Sequence, residues 1–115
     1  MRESGFIHQG DCHDTRCSRS RHPGAACPRL ARLAEETLFG DIWQRSTLSA
    51  RERSLITLAI LASLGRVQQL PWHIAFARQN GLSRDELEEL FTHLAFYAGL
   101  PAAVTAVGYL PPARR

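Results

Sequence analysis

The sequence predicts an all-α domain, and three observations carry that expectation. From Leu30 to Tyr109 the apolar residues recur three and four positions apart, the period of a helix. Two capping boxes, Ser49-Ala-Arg-Glu52 and Ser83-Arg-Asp-Glu86, each stand directly before such a run. No stretch alternates apolar and polar residues convincingly enough to read as a strand. At 115 residues the chain has room for one domain with one modest core.

The first helix is expected over Leu30–Phe39, with Leu30, Leu33, Ala34, Leu38 and Phe39 in phase and Gly40 as its stop. The second starts at the Ser49 cap and runs to about Leu64, where Gly65 ends it. Its stretch Leu55–Ala62 is apolar almost all round, which suits a helix at a domain centre or in an oligomer interface. A third covers roughly Val67–Gln79 and stops at Asn80-Gly81. The fourth starts at the Ser83 cap, with Leu87, Leu90, Phe91, Leu94 and Tyr97 as its stripe. Gly99-Leu-Pro101 breaks the chain, and proline suits the first turn of a fifth helix over about Pro101–Tyr109.

Residues 1–29 read differently. They hold Cys12, Cys17 and Cys27 and three of the five histidines, and they show no periodicity. A flexible tail is the expectation, because so little apolar surface does not offset the entropy of ordering. The Cys and His spacings fit no common zinc pattern. The helical domain is placed at 30–115.

All 14 basic residues are arginine, so lysine Schiff-base chemistry and a Gly-Lys-Ser/Thr phosphate loop are both excluded. The net charge is +3, but residues 30–115 carry nine arginines against eight acids, a balance that argues against nucleic acid as a partner. No apolar run reads as a membrane span, and the first 30 residues lack a signal-peptide core. A soluble, cytoplasmic protein is expected, and a homo-oligomer would cover the apolar second helix.

Two histidines lie in the helical part. On one continuous third helix, Arg66, Gln69, Leu70, His73 and Ala77 share a face. Polar groups on an apolar face suit a small-ligand pocket, and equally suit a part-buried histidine bonded to a backbone carbonyl. His93 either joins that pocket or is a solvated or packing residue. Asp85, Glu86, Glu88 and Glu89 suit the start of the fourth helix and need no catalytic role. Arg45, Arg51 and Arg53 surround the start of the second helix, where arginine is unfavourable, so a carboxylate is expected to hold at least one of them. Trp43 is a candidate anchor.

Gly40-Asp-Ile-Trp43-Gln-Arg45, continuing through Leu48-Ser-Ala-Arg51-Glu-Arg53 to Ala59, resembles the carboxymuconolactone decarboxylase family. So do Leu64-Gly65-Arg66, Leu-Pro-Trp-His73, Gln79-Asn80-Gly81-Leu82-Ser83 and Ala95-Phe-Tyr97-Ala-Gly99-Leu-Pro101. The resemblance covers about residues 30–110. It implies an AhpD-like helical bundle of about five helices, assembled as a trimer or hexamer. It also implies cofactor-free decarboxylation of a small carboxylated lactone in aromatic degradation, with no metal. His73, Arg66 and Gln69 become the catalytic candidates, and Arg45, Arg53, Trp43 and His93 the substrate-binding ones. The decarboxylases tend to carry glutamate where Gln69 stands and Asn-His where Val104-Thr105 stands, so another substrate, or a non-catalytic oligomeric binding protein, is an alternative. Peroxidases of the same superfamily use a Cys-x-x-Cys before the histidine. Here those positions are Arg66 and Gln69, and neither forms the thiolate that attacks peroxide.

Overall fold

The structure, a computed structural model, describes residues 27–113. The tail and its zinc-spacing reading fall outside them, apart from its last residues, Cys27–Arg29. The described residues form two compact units, divided between Thr47 and Leu48. They contain five α-helices and no strand, as expected for an all-α chain.

The first unit opens earlier than predicted. Helix α1 is Pro28–Leu33, with Pro28 in the first turn, where no N–H is needed. It does not stay α-helical to Gly40. From Ala34 to Phe39 the chain winds as a wider π-helix, and a 3-10 turn follows at Ile42–Gln44. Gly40 fits this path for a steric reason. A Cβ there would lie 2.7 Å from the Glu36 carbonyl oxygen and 2.8 Å from that of Glu35. No residue of α1 or the π-helix is buried.

The second unit holds the core. Helix α2 (Ala50–Leu64) and helix α4 (Arg84–Ala98) both begin with complete capping boxes. Ser49 Oγ accepts from the Glu52 N–H at 3.1 Å, and Glu52 Oε1 accepts from the Ser49 N–H at 2.8 Å. Ser83 and Glu86 repeat this at 3.1 and 2.9 Å. Arg51 pairs with Glu86 across the two helix starts, which meets the expectation of a carboxylate for one of the arginines there.

Helix α3 is Leu70–Gln79, shorter than the predicted Val67–Gln79. Residues Val67–Gln69 form a 3-10 turn instead. Pro71 is the reason: it has no N–H to give the Val67 carbonyl, and its ring would crowd that oxygen. Helices α2 and α3 both end in Schellman motifs. Arg66 N–H bonds Leu61 O at 2.8 Å, and Leu82 N–H bonds Ala77 O at 3.0 Å. Gly99 makes the corner between α4 and α5 (Leu100–Val107) at φ 108°, ψ 143°, a conformation in which a Cβ is strained.

Leu58 and Ala62 of α2, Leu70, Ile74 and Ala77 of α3, and Leu87, Phe91 and Leu94 of α4 form one buried cluster. Leu82, Ala103, Ala106 and Leu110 complete it. α2 is buried only along Ser54, Leu58 and Ala62, while Ile56, Ile60 and Leu64 are exposed. The buried Ser54 hydroxyl accepts from Asn80 Nδ2 at 3.0 Å, which ties the end of α3 to α2. Arg84 Nε holds the Pro111 carbonyl at 2.7 Å and draws the chain after α5 back onto α4.

Phe91→Ala, which hollows the centre of this cluster, is expected to cost about 3–5 kcal/mol in urea unfolding. Thr92→Ala, one exposed residue further on, is expected to stay within about 0.5 kcal/mol of wild type.

Candidate active site

The sequence places His73 in the fourth position of α3, and the fold decides its surroundings. Leu70, Ile74 and Ala77 face the core, so the first turn of α3 is pressed against apolar side chains. Trp72 and Phe76 stand one helical turn apart and flank the imidazole. The Trp72 and His73 rings meet edge to face, with centroids 4.8 Å apart and planes at 82°. Trp72 and Phe76 lie 4.9 Å apart, and His73 and Phe76 6.4 Å apart at 70°.

Burial holds the His73 pKa down, from the ordinary 6.5 to about 4, because the apolar setting disfavours the charged form. The imidazole is therefore neutral at pH 7. Its nitrogens make no hydrogen bond to any described residue. It is thus not the histidine satisfied by a backbone carbonyl that the sequence pattern also allowed.

Arg66 and Gln69 precede α3 and do not lie on one continuous helix with His73. This corrects the shared face expected for residues 66, 69, 70, 73 and 77. Arg66 is an exposed residue outside helical geometry, at φ −85° and ψ 62°, before the 3-10 turn. No described carboxylate pairs with it. Gln69 is half-buried at the start of α3, one residue before Leu70. That start carries no side-chain cap, in contrast to α2 and α4. Its backbone groups are instead taken up by the preceding 3-10 turn: the Gln69 N–H donates to the Arg66 carbonyl, the Leu70 N–H donates to the Val67 carbonyl, and Pro71 has no N–H.

The remaining candidates are on other elements. Arg53, half-buried in the first turn of α2, donates from Nε to the Leu48 carbonyl at 3.2 Å. His93 is exposed on α4 and stacks on Tyr97, with centroids 5.2 Å apart. In the first unit, Arg45 binds Asp41 through two 3.0 Å hydrogen bonds, which lower the Asp41 pKa and raise that of Arg45. Trp43 stacks on Phe39 at 5.8 Å. Sequence reasoning passed over Trp72 and Phe76 as parts of the His73 setting. The available signal was their spacing, an aromatic pair four residues apart on either side of a histidine.

A sequence profile of the Carboxymuconolactone decarboxylase family matches residues 28–110. The chain belongs to the carboxymuconolactone decarboxylase family. It is 44% identical over 69 residues to the 4-carboxymuconolactone decarboxylase of Acinetobacter baylyi, over 60% of this chain and 52% of that protein. It is 33% identical over 75 residues to the nitrosuccinic acid decarboxylase of Metarhizium robertsii, over 65% of this chain and 52% of that protein. The chain thus spans about half the length of these curated relatives.

The half-buried imidazole has a thermodynamic consequence. His73 takes up a proton near pH 6.5 when unfolded but only near pH 4 when folded. Stability is therefore full above about 6.5 and falls as the pH drops toward about 4. Between pH 7 and pH 5 the loss is expected to be about 2 kcal/mol. In urea unfolding at the two pH values, His73→Gln should abolish that component. A variant with the same pH dependence as wild type would contradict it.

Proposed function

We propose that this chain is a cofactor-free carboxy-lyase acting on a small carboxylated lactone of the 4-carboxymuconolactone class, in the degradation of aromatic compounds. We further propose that it works in the cytoplasm as a homo-oligomer, a trimer or hexamer. The observation that carries the reading is His73, a neutral imidazole in an aromatic setting with no described hydrogen-bond partner. The names of the two relatives, both decarboxylases, support the reaction class.

The chemistry follows from the residue types. Loss of CO2 from the ring carboxylate leaves its electron pair delocalised through the ring onto the lactone carbonyl oxygen. A proton returned to a ring carbon completes the reaction. Arg66 is the carboxylate-binding group, since a guanidinium pairs with a carboxylate in two-pronged fashion. A substrate carboxylate beside His73 favours the imidazolium and offsets the cost of burial. Binding then draws a proton onto His73, which it delivers to the dienolate. Gln69 donates a hydrogen bond but is no base. It suits a positioning role toward the developing oxyanion.

The test is CO2 release and loss of ultraviolet absorbance with enzymatically generated 4-carboxymuconolactone. His73→Ala is expected to lower kcat by about 10²–10⁴-fold, the span typical of general acid catalysis. Arg66→Ala is expected to raise KM about tenfold or more, the loss of one charge-assisted pair. Turnover no faster than the spontaneous reaction, or an undiminished kcat in a folded His73→Ala protein, would sink the proposal.

A further inference from the structure

The imidazole of His73 has an inner and an outer side on α3. Successive residues turn by about 100° around a helix. Leu70, Ile74 and Ala77 therefore lie to one side of His73, and Trp72 and Phe76 to the other. The first three face the core and close the inner side. Water comes from the outer side, where Pro71, Ala75, Arg78 and Gln79 are exposed. Trp72 and Phe76, both half-buried, stand between that exposed face and His73. Trp72 is the nearer, its ring centroid 4.8 Å from that of His73 against 6.4 Å for Phe76. Phe76 lies 4.9 Å from Trp72 and backs its ring.

We propose that Trp72 is a positioning residue for the reaction proposed above, a role that rests on His73 as the acid: its ring screens the imidazole from water, so that His73 takes up its proton only with an anion beside it. The proton comes from solvent and lodges on an imidazole nitrogen as the substrate carboxylate arrives. A neighbouring aromatic ring acts on an imidazole in two opposed ways. It displaces water, which disfavours the imidazolium, and its face attracts a cation. The attraction is worth on the order of tenfold in proton affinity. Burial takes the His73 pKa from 6.5 to about 4, a loss of roughly three-hundredfold. Screening is the larger effect.

Charge does not do the same work. Burial is what lowers the His73 pKa, with no contribution from a described charged group. Helix α2 and the 3-10 turn pack against α3. The charged groups of α2 are Arg51, Glu52 and Arg53, all near its start. Arg51 pairs with Glu86, Glu52 accepts from the Ser49 N–H, and Arg53 donates to the Leu48 carbonyl. Arg66 is exposed before the 3-10 turn, and Arg78 is exposed more than one turn beyond His73 on α3 itself. The proton affinity of His73 is thus a matter of access to water, which is what a ring at its outer side controls.

The experiment is a pH titration of the histidine ring signals of the full chain by nuclear magnetic resonance, with His73 assigned by its loss in His73→Gln. Trp72→Phe, Trp72→Leu, Trp72→Ala and Phe76→Leu are titrated beside the wild type, each checked for helical circular dichroism. Wild-type His73 is expected to titrate at about pH 4. Trp72→Phe, which keeps a ring, is expected to stay close to it. Trp72→Leu and Trp72→Ala are expected to raise the proton affinity of His73 about tenfold or more, and Phe76→Leu by less. The leucine variant carries the comparison if the alanine variant does not fold. An affinity that stays or falls in folded Trp72→Leu, or rises further in Phe76→Leu, would overturn the role of Trp72. The second readout is kcat/KM with 4-carboxymuconolactone. In the wild type it is expected to fall about tenfold per pH unit between about pH 5 and pH 7, and in Trp72→Leu the fall is expected to begin at higher pH, in step with the titration. A pH profile unmoved while the His73 affinity rises would overturn the coupling. A wild type without turnover would sink the reaction, and the titration would still decide the screen.

Discussion

Pro71 has no backbone N–H, so the helix that carries His73 cannot begin a turn earlier than it does. Much of the second unit follows from that start. Beginning at Leu70 sets the phase in which Leu70, Ile74 and Ala77 reach the core together. The same phase sets Trp72, His73 and Phe76 in one aromatic group. It also ends the helix where Asn80 reaches the buried hydroxyl of Ser54. One missing hydrogen thus fixes both the packing of α3 and the desolvation that keeps His73 uncharged.

The three long helix starts divide the electrostatic work. Those of α2 and α4 are closed by their own serine and glutamate side chains. Hydrogen bonds from the Ser49 and Ser83 N–H groups, with the nearby arginines, hold the Glu52 and Glu86 carboxyls ionised below the usual range. Arg51 would oppose the dipole of α2 by itself, and its pairing with Glu86 turns it into a link between the two starts. The start of α3 has no such closure, and it is the one beside the neutral imidazole.

The parts that were legible in the sequence are those decided by local chemistry. Ser49 with Glu52, Ser83 with Glu86, and Gly65 each act over four or five residues, and the structure places those boundaries where the spacing does. The break inside the third helix was also local: Pro71 lies within the stretch Val67–Gln79 that the apolar period reads as one helix. The π-helix at Ala34–Phe39 shows no such mark, because the apolar spacing of Leu33, Leu38 and Phe39 is compatible with either winding. His73 was legible as a candidate, whereas its neutrality was not. That depends on what α2 brings against α3, a matter of tertiary packing. Asn80 had been read as a helix stop. The helix does end there, with Gly81 at φ 102° making the turn, and what the sequence did not show is the side-chain bond from Asn80 to Ser54.

That bond bears on chemical ageing. An asparagine followed by glycine is the dipeptide most prone to deamidation, because the small glycine lets its backbone nitrogen attack the side-chain carbonyl. In the folded chain the Asn80 amide is held by Ser54, and the Gly81 N–H is given to the Arg78 carbonyl at 3.1 Å. Both reacting groups are tethered away from the cyclic intermediate. The unfolded chain has neither tether. Conversion of Asn80 to aspartate therefore records time spent unfolded, and it replaces the donor that Ser54 needs with a carboxylate that has no hydrogen to give.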